Sequence, residues 1–89
     1  MNTFSLTIST PGGKQFEGEV ECLALRGAEG DLAVLAGHVP LMTTVQAGPC
    51  RVTLPGGTVR EAACAGGQLT VGAEGTIVLL EHFSWIQGD

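Results

Sequence analysis

Residues 4–13 read FSLTISTPGG, a stretch in which Phe, Leu and Ile alternate with Ser and Thr before a Pro-Gly-Gly sequence. An apolar side chain at every second position is typical of a β-strand that buries one of its two faces. Proline fixes its own φ, and glycine takes conformations that other residues avoid, so Pro-Gly-Gly predicts a turn. The stretch therefore predicts a half-buried strand followed by a tight reversal of the chain.

Short apolar runs separated by turn residues continue along the rest of the chain. Residues 50–57, CRVTLPGG, repeat the alternation and the turn, and they predict a hairpin with the segment that follows. Turn signals recur about every 8–12 residues, a spacing typical of an all-β sandwich or barrel. Residues 32–35 are predicted to be a buried strand and Gly66-Gly67 a turn, and residues 81–87 are the best of the weak helix candidates.

The length and composition are those of one small globular domain that covers residues 1–89. Hydrophobic residues make up 44% of the chain, which is too many for a disordered protein. The longest apolar runs are too short to cross a bilayer, and the N-terminus lacks the basic start and apolar block of a signal peptide. We therefore expect a single domain that is not inserted in a membrane.

The charge balance disfavours nucleic acid as a partner. Four basic residues stand against nine acidic ones, and the net formal charge is -5. The cations, Lys14, Arg26, Arg51 and Arg60, are scattered, whereas phosphate binding requires clustered Lys or Arg. The same scarcity disfavours binding to an anionic membrane surface, and the few aromatic side chains offer no platform on which bases could stack.

No pattern of side chains predicts a catalytic, cofactor or metal site. Cys22, Cys50 and Cys64 are far apart in the sequence, and neither they nor His38 and His82 have the close spacing of zinc ligands. We interpret the cysteines as free thiols that are buried as small apolar side chains in a reducing compartment. The Gly-Gly pairs lack the Lys-Ser/Thr of a phosphate loop, and His38 lacks the partners of a general base.

The longest recognisable motif occupies residues 27–41, GAEGDLAVLAGHVPL. It resembles the ε subunit of F-type, rotary ATP synthases, in which a Glu-Gly-Glu/Asp turn precedes an apolar strand and a Pro-Gly-His-x-Pro-Leu corner. Ala36 stands where that family usually has proline. The likeness extends in order over the whole chain and includes residues 6–8, 10–13, 16–20, 48–52 and 66–71.

The resemblance implies a flattened all-β sandwich or barrel of about ten short, mostly antiparallel strands. It also implies a non-catalytic rotor subunit of the central stalk, without a cofactor. Such a subunit contacts the γ subunit and the c-ring and helps couple proton or sodium transport to ATP synthesis. It would lie peripherally at the cytoplasmic face of the cell inner membrane, as part of the ATP synthase complex.

The resemblance further implies contacts for particular residues. Glu29 and Asp31 are expected to face the c-ring, whose polar loop offers a basic partner in this family. The alternative is a pair of solvated turn carboxylates. The corner that follows the apolar strand is expected to face γ, although a hydrogen bond to nearby backbone is the structural alternative for its histidine. The residues expected to contact γ are His38, Leu41, Met42 and Thr43.

Many members of this family add a two-helix C-terminal domain that inhibits ATP hydrolysis and, in some members, binds ATP. This sequence ends at Asp89, where that domain would begin, so we expect no ATP binding. The sequence fits a naturally short subunit as well as a shortened one. A small-ligand-binding β-sandwich module is the alternative function, and an enzyme that uses His38 is a third hypothesis.

Overall fold

The computed structural model describes residues 2–86 and folds them into eight β-strands without a helix. The predicted all-β class is confirmed, with eight strands instead of about ten. Within these residues no helix is long and apolar enough to cross a bilayer. The strands are β1 Phe4–Thr10, β2 Gly13–Val20, β3 Cys22–Gly27, β4 Gly30–Leu35, β5 Leu41–Val45, β6 Gly48–Thr53, β7 Val59–Gly72 and β8 Gly75–Trp85.

The strands form two layers that share β7. The first layer has the order β2-β1-β8-β7-β5, in which β1 and β8 are parallel and every other pair is antiparallel. The second layer consists of β4, β3, β6 and the first half of β7. Residues 59–64 of β7 pair with β6, whereas residues 67–71 pair with β5. One continuous strand therefore passes from the second layer into the first.

The core lies between the layers and receives apolar side chains from every strand. Alternate residues of each strand point inward, as the period of two predicts. Burying one Leu, Ile or Val side chain contributes roughly 1.5–3 kcal/mol, so this burial is the main stabilising term of the fold. The buried apolar residues are Leu6, Ile8, Val20, Leu23, Leu25, Val34, Val45, Cys50, Val52, Ala62, Cys64, Leu69, Val71, Val78 and Leu80.

Gly66-Gly67, predicted to be a turn, instead lies within β7, so that prediction is wrong. The register between β7 and β8 continues unbroken past this pair. The inward positions nevertheless change from even to odd numbers here on β7, and β8 makes the same change beside it. Gly66 has a φ of 61°, and a Cβ on Gly67 would meet the Leu79 carbonyl oxygen and lie 2.8 Å from Leu80 Cα. Glycine is needed here because the two backbones touch.

The apolar run at residues 32–35 is not fully buried, which corrects the prediction of a buried strand. It belongs to β4, which within the described part of the chain pairs only with β3 and is therefore an edge strand. Val34 is buried, but Leu35 is 55% exposed and Ala33 is exposed. A strand with one face toward the core and one toward solvent buries only alternate residues, whatever their polarity.

An aromatic group covers the core where β2 approaches the end of β8. Phe16 and Phe83 pack edge-on against Trp85, with ring centroids 6.0 and 4.9 Å from that of the indole. Arg60 Cζ lies 3.8 Å from the Trp85 ring centroid, a cation–π contact. The helix candidate is wrong for residues 81–85, which continue β8, and Gln87 lies outside the described residues.

Candidate interaction surfaces

The tip of the β3–β4 hairpin carries the first of the predicted contact residues. Gly27 pairs with Gly30 and leaves Ala28 and Glu29 as a two-residue turn. Gly30 has a φ of 127°, a conformation that residues with a side chain rarely adopt. Glu29 is exposed at the tip of this hairpin, next to the point where β3 meets β5. Residues 27–31 are called the acidic turn below.

The connection after β5 holds the acidic turn through Gln46. The Gln46 backbone N–H donates to the Arg26 carbonyl oxygen at 2.9 Å. The Gln46 side-chain Nε2 donates to the Ala28 carbonyl oxygen at 3.2 Å. The turn is therefore fixed both by its own hairpin ladder and by a neighbouring segment. Nothing in the residue types of the sequence marks Gln46 for this role, because the contact joins segments 18 residues apart.

Arg26 and Asp31 face each other across the base of the acidic turn. They are direct cross-strand partners, and Arg26 Nε lies 3.5 Å from Asp31 Oδ1. Their side chains are 47% and 86% exposed, so the pair contributes about 1 kcal/mol at most. The sequence could have revealed this pair, since a two-residue turn at Ala28 and Glu29 places position 26 opposite position 31.

The predicted γ contacts on β5 lie next to the predicted c-ring contacts. Leu41 packs against the core, Thr43 is half-buried and Met42 is 64% exposed. The β5 residues line one open depression together with Glu29 and Asp31. The structure thus brings five of the six predicted contact residues to one region of the surface.

His38, the sixth residue, lies apart from the other five. Its backbone N–H donates to the Leu35 carbonyl oxygen at 3.1 Å, and its Nδ1 lies 2.9 Å from the Val39 carbonyl oxygen. It lines a different depression, beside Glu19 and Glu74. These backbone contacts agree with the structural alternative for His38. Within residues 2–86, no three His, Cys, Asp or Glu side chains group closely enough to hold a metal ion.

Among residues 2–86, no charged side chain lies in the centre of the outward side of the first layer. Ile77 and Leu79 are 48% and 53% exposed there, and hydroxyl and amide side chains flank them on the paired strands. At the margin, β2 carries the Lys14–Glu17 ion pair, with Nζ 2.9 Å from Oε1. This surface is called the uncharged face and comprises Thr7, Ser9, Met42, Thr44, Gln68, Thr70, Ile77 and Leu79.

The sequence predictions did not include Ile77 and Leu79, although a signal for them exists. Residues 76–80 read TIVLL, and a strand can point only alternate residues inward. With Val78 and Leu80 in the core, the apolar residues between them must face outward. A continuous apolar run in a strand therefore indicates an exposed apolar surface when one side of the layer packs on the core and the opposite side faces solvent.

The outward side of the second layer has a different character. Two cross-strand ion pairs lie on it, Arg26–Asp31 and a pair in which Arg51 Nε lies 3.4 Å from Glu61 Oε2. Val59, on the same outward side, is 50% exposed. The two outer surfaces of the domain are thus chemically distinct, one uncharged and one charged.

The cysteines are placed as small side chains of the fold. Cys50 and Cys64 are buried on neighbouring strands, as expected, and Cys22 is half-buried. A hydrogen bond with Cys64 and burial raise the pKa of the Cys50 thiol, and the same hydrogen bond lowers the pKa of Cys64. Burial also raises the pKa of Cys22. Thiols enclosed in this way have a packing role.

Comparison with solved structures shows the same fold in two rotary enzymes. A chain of the Euglena gracilis mitochondrial ATP synthase, solved as OSCP/F1/c-ring in rotational state 1, matches with a TM-score of 0.86 and 22% identity. That match covers 93% of this chain and 53% of the other. A chain of the Tetrahymena thermophila mitochondrial ATP synthase central stalk/c-ring matches with a TM-score of 0.71 and 15% identity, over 89% of this chain and 63% of the other.

Curated relatives are similar at the level of sequence. The sodium ion specific ATP synthase epsilon chain of Acetobacterium woodii is 35% identical over 83 residues, which cover 93% of this chain and 62% of that relative. The ATP synthase epsilon chain of Caulobacter vibrioides is 39% identical over 82 residues, covering 92% of this chain and 94% of that relative. This chain thus spans less than two thirds of the first relative's length and nearly all of the second's.

A family model described as the ATP synthase delta/epsilon chain β-sandwich domain matches residues 3–86. The match covers nearly the whole described fold, including the acidic turn and all eight strands. The chain therefore belongs to the β-sandwich domain family of ATP synthase delta/epsilon chains.

Proposed function

We propose that this chain is a non-catalytic subunit of the central stalk of an F-type ATP synthase. It contacts the γ subunit through the uncharged face and the adjoining β5 residues, and it contacts the c-ring through the acidic turn. By joining the two, it helps couple proton or sodium transport to ATP synthesis. It would be peripheral to the cytoplasmic side of the membrane that holds the complex. The uncharged face is the observation that carries this proposal.

The composition of the uncharged face supports a protein partner. Met42, Ile77 and Leu79 are 64%, 48% and 53% exposed, and the side chains between them are hydroxyls and amides. The centres of protein interfaces are depleted in charged residues, because desolvating a charge is costly. A subunit that rotates with γ needs a contact of this kind, which holds by burial of apolar surface rather than by ion pairs screened by salt.

The acidic turn supports a second contact with a basic partner. Glu29 is exposed at the tip of the turn, and within residues 2–86 it makes no ion pair. A free carboxylate on a tied turn suits a cationic loop, and such pairs fix orientation more than they add affinity. The c-ring loops would supply those cations, as the family resemblance implies. Predicted roles for Asp31, His38, Leu41, Met42 and Thr43 remain part of this proposal.

Substituting the centre of the uncharged face tests the γ contact. We expect Ile77→Glu to abolish co-purification with γ, because a carboxylate would be buried without a partner. Val59→Glu is the matched control: Val59 is 50% exposed, close to the 48% of Ile77, and lies in a strand on the outward side of the other layer. Both variants lose a β-branched residue and gain the same charge.

The outcome separates the two surfaces. Retention of γ by Ile77→Glu, with the variant shown to be folded by circular dichroism, would contradict the assignment of this face. Equal loss with Val59→Glu would point to a general effect of charge or folding. The small-ligand alternative has no specific observation in its favour.

A further inference from the structure

We propose that β4 is an edge to which a second copy of this chain adds its own β4, so that the free chain forms an antiparallel, two-fold symmetric dimer. The pairing is centred on Ala33 and uses the backbone groups of Asp31, Ala33 and Leu35. This inference goes beyond the proposed function, because it concerns the chain that is not bound to γ and does not involve the uncharged face.

The free backbone groups of β4 lie on the side of the strand away from β3. Gly27 and Gly30 close a two-residue hairpin, and the closing residues of such a hairpin are hydrogen-bonded to each other. Hydrogen-bonded and non-hydrogen-bonded pairs alternate along an antiparallel ladder. Alternate residues of β4 from Gly30 onward therefore bond to β3, and the backbone groups of Asp31, Ala33 and Leu35 point to the open edge.

Two hydrogen bonds at the ends of the β3–β4 ladder define which edge groups are free. The Arg26 carbonyl oxygen accepts from the Gln46 N–H at 2.9 Å, so the backbone of Arg26 points away from its cross-strand partner Asp31, as the alternation requires. The Leu35 carbonyl oxygen accepts from the His38 N–H at 3.1 Å. Among the described residues, the edge therefore offers three N–H groups and two carbonyl oxygens without a backbone partner.

These free groups suit an antiparallel copy of the same strand. With Ala33 opposite its own copy, that pair exchanges two N–H···O bonds. Asp31 then lies opposite Leu35 of the second copy, whose N–H donates to the Asp31 carbonyl oxygen. Any shifted register places Asp31 or Leu35 beyond the end of the other β4. On the inner side, Leu32, which is only partly buried, lies beside Val34 of the second copy and gains apolar cover.

The charge on β4 does not oppose this pairing. Asp31 is the only charged residue of the strand. In the proposed register the two Asp31 side chains are separated by the length of strand from residue 31 to residue 35, about 14 Å at 3.4 Å per residue. This exceeds the Debye length of about 8 Å at physiological ionic strength. The net charge of -5 on each copy and the small contact make the dimer weak, and added salt should strengthen it.

The other edge strand, β2, has features that prevent such pairing. It carries the charged residues Lys14, Glu17 and Glu19, and its register with β1 shifts within the ladder. Charged side chains and bulges are the means by which natural edge strands avoid adding another strand. β4 contains no proline, keeps an unbroken register with β3 and exposes Ala33 and Leu35. It is therefore the edge at which a strand can be added.

The test measures the average mass of the free chain by sedimentation equilibrium, from about 10 μM to about 1 mM, a range that covers weak association. We expect the mass to rise from that of one chain toward that of two. Ala33→Lys and Ala33→Glu should each weaken association about fivefold, because two like charges then stand directly opposite each other. An equimolar mixture of the two variants should regain the dimer, since the facing charges are then opposite in sign.

Ala63→Lys and Ala63→Glu are the matched controls. Ala63 is also exposed on the outward side of the second layer, but it lies inside the sheet, where β7 pairs with both β6 and β8. These variants should leave association unchanged, and circular dichroism checks that all four variants are folded. Equal weakening by the Ala63 variants, or a mixture of the Ala33 variants that stays monomeric, would overturn the proposed pairing.

The remaining outcomes separate the second copy from other occupants of the edge. A chain that stays monomeric over the whole range overturns the inference. If the β4 amide hydrogens of that monomer exchange more slowly only after γ is added, the edge belongs to γ instead. Loss of the dimer in Ile77→Glu but not in Ala33→Lys would mean that two copies meet through the uncharged face. Retention of γ by Ile77→Glu would contradict the γ contact and leave this inference intact.

Discussion

Two turns of this molecule have the same four residues and different surroundings. Gly-Ala-Glu-Gly occurs at residues 27–30 and again at residues 72–75. Each forms a two-residue hairpin with Ala-Glu at its tip, and the last glycine has a φ of 127° in one and 145° in the other. Both glutamates are exposed. As local structures the two turns are therefore near copies.

The two turns differ in their positions in the fold. The first turn lies where β3 meets the end of β5, and the second lies beside the start of β5. Gln46 ties the first turn, and Asp31 follows it. The second turn is followed by Thr76, which is buried. The tetrad therefore encodes a hairpin turn, whereas a function of its glutamate depends on what the fold places around it.

The largest effect is expected from a substitution that disrupts the contact between β7 and β8, on which both turns depend. Gly67→Ala would force a Cβ into the backbone of β8, whose Leu80 Cα lies 2.8 Å from that position. Because neither backbone can move without breaking the ladder, we expect a loss of at least about 3 kcal/mol in the free energy of unfolding. Urea denaturation measures this loss. Gly12→Ala is the control, because the nearest neighbour of a Cβ there would be Thr10 Oγ1 at 3.6 Å. Equal stability of both variants would contradict the close contact between the backbones of β7 and β8.

Substituting the last glycine of each turn should have a smaller effect on stability. The size of this effect should differ between the two turns because their packing differs. Alanine at Gly30 or Gly75 would adopt a positive φ, which costs about 1–2 kcal/mol. A Cβ on Gly75 would also lie 3.2 Å from Ser5, whereas one on Gly30 would have no neighbour within 4 Å. We expect Gly75→Ala to be the less stable variant in thermal unfolding. Equal melting temperatures would mean that Ser5 moves away at no cost.

Substituting the glutamate of each turn should have the smallest effect on folding, and it is the most informative test of function. Glu29→Gln and Glu74→Gln remove the same charge from the same tetrad. We expect Glu29→Gln to weaken c-ring binding about five- to tenfold, and Glu74→Gln to leave it unchanged. The difference should shrink as salt is raised, because the contact is between exposed charges. If both variants weaken binding alike, net charge governs the contact and the acidic turn does not.

The strands and most of their turns could be predicted from the sequence, because both depend on local patterns of residues. Residues 4–13 and 50–57 alternate and then turn, and β1 and the β6–β7 hairpin follow them. The errors have non-local causes. Gly66-Gly67 has the composition of a turn, but the contact that requires glycine is with β8. The parallel pairing of β1 with β8 joins segments about 70 residues apart, and no pattern within either strand specifies it.

Only part of the candidate site could be predicted from the sequence. Glu29, Asp31 and Met42 could be selected from the motif, because the family resemblance marks their positions. Gln46 could not, since a glutamine in a loop has the same appearance whether or not its amide reaches a distant carbonyl group. Ile77 and Leu79 could also have been predicted from the sequence. In a strand with one face toward the core, every second residue faces outward, even when all of its residues are apolar.

The sharing of β7 between the two layers has a mechanical consequence. A sandwich made of two separate sheets can slide along the apolar plane between them, which resists shear only by side-chain interdigitation. Here β7 is hydrogen-bonded to strands of both layers along its 14 residues, and its register with β8 is continuous past Gly66-Gly67. A sideways load on one outer surface would pass to the other through covalent backbone. In the proposed role, in which the domain turns with γ while it bears on the c-ring, this covalent link between the layers would resist such sliding.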